Sequence, residues 1–295
     1  MDTRQIIQAS AEYIDGHLKE PLCVDLLASL AGFSPYYYCR LFSLYMQMPV
    51  MEYVRRRRLT KGASEICAGR RILDVAMDYG FESHNGFTKA FRKVYGYSPN
   101  EYRRRVSPHR PIAPNPLLGQ ARISAEPEVR IEQRSGFYVA GMVIRTSAEV
   151  SSIAQQPALW KNLWLAEQEN KIYAMARPKE HGEYYISFPV ETGLYRLVTC
   201  VKVDEPETVE NGLCVDWVPP GLYGIFSTPP TEGDFAQSVV DTWRYIFEQW
   251  MPNSAFTLDS EGLDYEFYDE RCHGAPYSMD ICIPLLPKGE TSCLN

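Results

Sequence analysis

Ser34-Pro35-Tyr36-Tyr37-Tyr38-Cys39-Arg40-Leu41-Phe42-Ser43-Leu44-Tyr45-Met46 decides how the first third of the chain is read. Ser34 is a strong helix N-cap, because its hydroxyl can accept from a backbone N–H left free in the first turn. Pro35 takes the first helical position, where a missing N–H costs nothing. Tyr38, Leu41, Phe42 and Tyr45 recur at helical spacing and make one apolar face. Tyr36, Tyr37, Cys39 and Arg40 fall on the other face. Upstream, Val24–Ala31 reads as a short helix closed by Gly32-Phe33. A helix, a tight glycine turn and a capped second helix make a helix-turn-helix, whose second helix offers its N-terminal residues to base edges in the major groove.

The pattern occurs twice. At a shift of 48, Val24, Leu27, Ala28, Gly32 and Phe33 fall on Ile72, Val75, Ala76, Gly80 and Phe81. One inserted residue, Glu82, changes the shift to 49, and Ser34, Tyr38, Arg40 and Phe42 then fall on Ser83, Phe87, Lys89 and Phe91. The second reading helix is therefore expected over 83–95, with His84, Asn85, Thr88 and Lys89 outward, Lys93 beyond them, and Phe87, Phe91 and Val94 inward. Pro49 opens a long connecting helix to about Ala68, which carries the run Arg55 to Arg58. At 100° per residue those four cations cannot all face one way, so one or two are expected at phosphate and the rest in solvent.

Charge divides the chain in the same place. Residues 1–110 hold 17 Lys and Arg against 11 Asp and Glu, a net of +6, whereas 111–295 hold 13 against 26, a net of −13. A basic half is what phosphate neutralisation requires, and the acidic half is compatible with a cationic ligand or simply a solvated surface. The eight cysteines form no C-x-x-C pair, so neither a zinc site nor a disulfide framework is expected, and they read as reduced thiols in a bacterial-type cytoplasm. No cofactor or metal is called for. No apolar run approaches the roughly 18 residues of a membrane helix, and Met-Asp-Thr-Arg-Gln is not a secretory start.

The first stretch resembles the DNA-binding domain of AraC/XylS transcription regulators. The resemblance rests on A-x-x-x-G-F-S at 28–34, Tyr53-Val54-Arg55 in the connecting helix, A-x-x-x-G-F-E-S at 76–83, and F-x-K-A-F-R-K-x-Y-G-x-S-P-x-E-Y-R at 87–103. It implies an all-α domain with two tandem helix-turn-helix motifs joined by a linker helix, entering successive major-groove segments of double-stranded DNA. By position, Ser34, Tyr36, Tyr37, Cys39 and Arg40 then serve one half of the site. Ser83, His84, Asn85, Thr88, Lys89 and Lys93 serve the other. Arg40 suits guanine or phosphate and Asn85 suits adenine.

Pro108, Pro111, Pro114 and Pro116 punctuate a linker at 108–122, between a DNA-binding domain at 1–107 and an effector domain at 123–290. Beyond it, strands are expected over 129–132, 137–144, 183–188 and 195–203, with an amphipathic helix at 157–170. A similar order returns with strands at 213–218 and 222–227, a helix at 235–250, and strands at 264–268 and 279–285. Gly136-Phe137-Tyr138 and Gly221-Leu222-Tyr223 lie 85 residues apart, so this α+β half reads as a duplicated strand-helix-strand-strand unit with a cleft between the copies. It resembles the GyrI-like (Rob/BmrR-type) small-molecule-binding domain, through V-P-P-G-L-Y-G-I-F at 218–226, W-x-x-x-F-E-Q-W-M-P-N-S at 243–254 and M-D-I-C-I-P-L at 279–285. The resemblance implies a pocket for a small molecule, with Asp280 where that family has Glu.

Aromatic faces attract organic cations, and a buried carboxylate adds charge. Trp160, Trp164, Tyr185, Tyr195, Tyr223, Glu266, Tyr268 and Asp280 are the candidates to line the pocket. The combined expectation is a ligand-responsive transcription activator, not an enzyme. It acts as a cytoplasmic monomer on double-stranded DNA, a small-molecule effector and RNA polymerase, with no membrane contact. The alternatives are a hydrolase of small electrophiles using Asp280 or Glu266 with Tyr223, and a second domain that binds only a protein.

Overall fold

The computed structural model describes residues 3–46, 48–105, 125–147, 163–191, 194–210, 212–259 and 261–289. They fall into two compact units, the first holding 3–105 and the second 125–289. The proline-rich segment 108–122 lies outside the described residues.

The first unit is helical: α1 (Thr3–Gly16), α2 (Val24–Ala31), α3 (Pro35–Met46), α4 (Val50–Cys67), α5 (Ile72–Asp78), α6 (His84–Tyr95) and α7 (Pro99–Arg105). The sequence repeat is a repeat of hydrogen bonds. Gly32 and Gly80 close α2 and turn out of α5 at φ of 74° and 72°, a left-handed conformation that a side chain would strain. Phe33 N–H then reaches Ala28 O, and Phe81 N–H reaches Ala76 O, both at 3.0 Å. Phe42 and Phe91 are fully buried and each meets a tyrosine edge-on, Tyr53 at 5.4 Å and Tyr102 at 5.3 Å. Ser34 Oγ accepts from Tyr37 N–H at 3.4 Å, and Ser83 Oγ accepts from Gly86 N–H at 3.1 Å. Ser98 and Glu101 close a reciprocal cap on α7. Gly62 lets α5 and α6 approach α4, since a Cβ there would sit 3.2 Å from Val75 Cγ1 and 3.4 Å from the Phe87 ring.

Among its described residues the second unit is one antiparallel sheet with two helices longer than ten residues. Its elements are β1 (Glu128–Arg134), β2 (Phe137–Ser147), α8 (Leu163–Ala176), β3 (Glu183–Glu191), β4 (Leu194–Val203), β5 (Cys214–Val218), β6 (Gly221–Ser227), α9 (Phe235–Tyr245), β7 (Phe256–Leu258), β8 (Tyr265–Tyr268) and β9 (Asp280–Pro287). The strand order is β1-β6-β9-β8-β3-β4-β2-β5, with β7 on β9. This order is its own image under exchange of β1, β2, β3, β4 with β5, β6, β8, β9, so the duplication is visible in the sheet. Each half also has a leading strand that crosses to the other: β1 pairs with β6, and β5 with β2. β3 and β8 meet at the pseudo-dyad.

The pairing register sorts side chains onto two faces. Opposed pairs put Tyr185, Glu266 and Thr199 on one face. Both helices cover that face: Ile172 and Ala176 of α8 pack on Ala140, Val201 and Val203, and Trp243 of α9 reaches Glu266. The reverse face carries a separate core with Ile186, Val198, Tyr223, Tyr265 and Cys282. Of the helix expected at 157–170, residues 157–162 lie outside the described residues, and α8 runs on to Ala176 because Ile172 and Ala176 supply its sheet contact.

Candidate functional site

The first unit offers one open reading helix. On α6, His84, Asn85, Lys89 and Lys93 are exposed and Thr88 is half-buried, while Phe87 and Phe91 anchor the inner side. Asn85, Lys89, Arg92 and Lys93 lie along one stripe of the helix. With Arg55 of α4 they line an open groove. This is a cationic, polar surface at a helix N-terminus capped by exposed Ser83, the chemistry that holds phosphates and reads base edges.

α3 differs from its expected geometry. Ser34 and Tyr36 are half-buried, but Tyr37, Cys39 and Arg40 are buried, with Arg40 only 4 % exposed. They therefore do not form an outer face in this structure: every residue from Tyr37 to Met46 is buried. Arg40 folds back one turn, donating to the Tyr36 hydroxyl with its guanidinium carbon 5.5 Å from that ring. Helical periodicity identifies the inner side of α3; it carries no information about what covers the outer side.

The Arg55–Arg58 run is divided by function. Arg57 makes paired bonds of 2.6 and 2.8 Å to Asp15, and Arg58 donates to the carbonyls of Leu18 and Glu20 at 2.9 and 2.8 Å. Both fasten α4 to α1 and the turn after it. Arg55 and Arg56 both lean on Glu52 at the surface, so they are the solvent-facing members of the run, whereas Arg57 and Arg58 are held by protein groups rather than left in solvent.

In the second unit the helix-covered face gathers an acidic, aromatic cluster across the pseudo-dyad. Glu266, 2 % exposed, accepts from the Trp243 indole N–H at 2.9 Å and from the Tyr268 hydroxyl at 2.8 Å. Tyr185, the cross-strand partner of Glu266, meets Tyr268 edge-on at 5.3 Å and donates to Glu169 of α8 at 3.2 Å. Burial, and after it the Glu183 carboxylate, hold the Glu169 carboxyl above its ordinary range. Burial, and after it the Glu266 charge, hold the Tyr268 phenol un-ionised. The α-helical hydrogen bonding of α9 gives way to a π turn at Ile246–Trp250 just after Trp243, a local widening that is common at functional sites.

The pocket candidates separate accordingly. Tyr185, Glu266 and Tyr268 come together, and the strand register puts Tyr195 on their face. Tyr223 and Asp280 do not join them. Tyr223 packs in the reverse-face core, with its hydroxyl 3.2 Å from Leu263 O. Asp280 opposes Phe267 rather than Glu266, and its carboxylate is held by Arg130 at 3.1 Å, by both Arg271 Nη atoms at 3.0 and 3.1 Å, and by Ser227 Oγ at 2.6 Å. A carboxylate so neutralised locks β9 to β1 and to the turn before it. Nor does the structure bring Glu266 and Tyr223 together as a catalytic pair. Trp160 lies outside the described residues, and Trp164 lies in α8 with its side chain outside them. Trp243 and Glu169 were not legible as site residues, because their partners sit on strands distant in sequence; the one local hint was an indole N–H needing an acceptor. A separate concavity of about 590 Å³ is lined by Arg134, Phe137, Tyr184, Lys202, Asp204 and Trp217 among others, and so sets two cations against one carboxylate.

Among the described residues no helix is long and apolar enough to cross a membrane. Residues 27–105 match a helix-turn-helix domain family, and residues 130–285 match the family described as integron-associated effector binding protein. The regulatory protein SoxS of Salmonella typhimurium is 38% identical over 107 residues, which is 36% of this chain and 100% of that protein. The right origin-binding protein of Escherichia coli is 38% identical over 105 residues, 35% of this chain and 36% of that protein. Among solved structures, an integron cassette protein from the mobile metagenome of Vibrio cholerae aligns at 19% identity and a TM-score of 0.35, covering 54% of this chain and 95% of that one. The chain thus belongs, through residues 130–285, to the integron-associated effector-binding family, and joins that GyrI-like domain to an AraC-type helix-turn-helix half as a DNA-binding transcription regulator.

Proposed function

We propose that the second unit senses a small organic cation and that the first unit converts this into a change in transcription. The observation that carries the reading is the Glu266 carboxylate, buried among Tyr185, Tyr268 and Trp243. An organic cation seated there gains cation–π attraction of about 0.5–2 kcal/mol for each ring face and a carboxylate in a low-dielectric setting. An anion gains neither. DNA is bound by the α6 stripe together with Arg55 and Arg56; by its place in the tandem motif α3 is the second reading head, and it reads DNA only once Tyr37, Cys39 and Arg40, buried in this structure, are uncovered. The chain acts as a monomer, because two reading heads are carried on one polypeptide, and it activates through contact with RNA polymerase, as the family leads one to expect. The working division is 1–107 for DNA, 108–122 for the linker and 123–290 for the effector.

The test uses two ions of matched shape and opposite charge, tetraphenylphosphonium and tetraphenylborate, each titrated into the full chain by calorimetry. A ligand that binds only the folded form also raises the unfolding midpoint by mass action. The reading expects binding and stabilisation by the phosphonium. Binding of the borate alone would overturn it and move the site to the Arg134-lined concavity. In vitro transcription with and without the phosphonium tests activation, and sedimentation tests the monomer.

A further inference from the structure

His181, Glu183 and His273 bring their ligating atoms within 4.8 Å of one another at one end of the helix-covered face. We infer that these three side chains bind a divalent transition-metal ion, with Zn²⁺ the best chemical match. Two imidazoles and a carboxylate with an open fourth position suit Zn²⁺, whereas Mg²⁺ and Ca²⁺ favour all-oxygen sets. The cysteines form no C-x-x-C pair, and this donor set needs no thiol. It is also invisible in the sequence, because His273 lies beyond β8, while His181 precedes β3 and Glu183 opens it.

The geometry is close to what coordination needs. His181 Nε2 is 3.8 Å from Glu183 Oε1, and the two imidazole rings stand 5.2 Å apart at 70°. Ligand atoms of a tetrahedral ion are about 3.4 Å apart for bonds of about 2.05 Å, so the rings have to close by about 1 Å. Both histidines are exposed and have room to do so, while the buried carboxylate is the fixed member.

Glu183 is already oriented by an outer partner. Tyr173 donates to Glu183 Oε1 at 2.8 Å, and the Tyr173 oxygen in turn accepts from Gly182 N–H at 2.9 Å. The Tyr173 ring also stacks on His181 at 5.2 Å. A carboxylate held in this way by a second residue is typical of ligands around a protein-bound metal. Gly182 is required between the two ligands, since a Cβ there would lie 2.5 Å from the Phe267 ring.

The experiment is calorimetric titration of the full chain with ZnSO₄, beside MgSO₄, for the wild type, His181→Ala, His273→Ala and Tyr173→Phe. The expected result is one Zn²⁺ equivalent that weakens at least tenfold in each histidine variant and about tenfold in Tyr173→Phe, with no Mg²⁺ heat. Zn²⁺ affinity unchanged in both histidine variants, or no Zn²⁺ binding at all, overturns the assignment. Free cysteines elsewhere in the chain make a second readout necessary, and the absorption spectrum of the Co²⁺-loaded wild type supplies one that needs no variant. Ligand-field bands without thiolate charge transfer support the site, and thiolate charge transfer at one equivalent overturns it.

Discussion

Replacing Lys89 and Lys93 together by alanine tests the DNA-binding surface quantitatively. Four cations, Arg55, Lys89, Arg92 and Lys93, line the α6 groove, and both lysines are exposed, so the double variant should keep its fold. Each phosphate contact contributes about 0.9 to the slope of log affinity against log salt. Losing two contacts should flatten that slope by about 1.8 and shrink the wild-type advantage about twelvefold between about 50 and 200 mM salt. The assay is fluorescence anisotropy on a duplex selected from a random library by the full chain, with unfolding midpoints as the folding control. Asn85→Ala is the companion variant: as a base reader it should leave the slope alone and relax preference at one base pair by about 1–3 kcal/mol. Equal slopes for the wild type and the double variant would refute the assignment of α6 to phosphate.

Arg57→Ala should cost about 1.5–3 kcal/mol in a urea melt, because it removes the paired bonds that tie α4 to Asp15 of α1. Arg56→Ala, at the surface of the same helix, should stay within about 0.5 kcal/mol, and equal losses would contradict the division of the arginine run. Glu169 predicts a pH effect of definite sign. Its folded-state carboxyl is held above the ordinary value by burial and then by Glu183, so the folded chain binds the proton more tightly than the unfolded one. The stability from this group is present below the unfolded value and lost as pH rises through the folded value. Glu169→Gln should therefore gain on the wild type in unfolding midpoint as pH is raised from the acid side to neutral; a constant difference would exclude the effect.

What was legible in the sequence was what local chemistry writes down. The turn glycines Gly32 and Gly80, the caps Ser34 and Ser83, and the paired phenylalanines define the tandem motif, because each acts on residues within one turn of itself. Alternation gave most strands of the second unit for the same reason. Long-range choices were not legible. The crossing of β1 to β6 and of β5 to β2 is set by pairing partners roughly 70 to 100 residues apart. Asp280 and Glu266 look alike as isolated carboxylates, and only the register puts one under two guanidiniums and the other under an indole and a phenol. The arginine run shows the same limit: the helix period says that the four point apart, but not that Arg57 and Arg58 find α1 and the turn after it.

The most direct test of the account is the affinity of the full chain for tetraphenylphosphonium in the wild type, Glu266→Gln and Asp280→Asn. A cation held about 5 Å from a carboxylate at an effective dielectric of about 20 is stabilised by about 3 kcal/mol, so Glu266→Gln should weaken binding by about two orders of magnitude and Asp280→Asn by little. Unchanged affinity in Glu266→Gln, or a loss confined to Asp280→Asn, would contradict the account and transfer the site to the other face of the sheet.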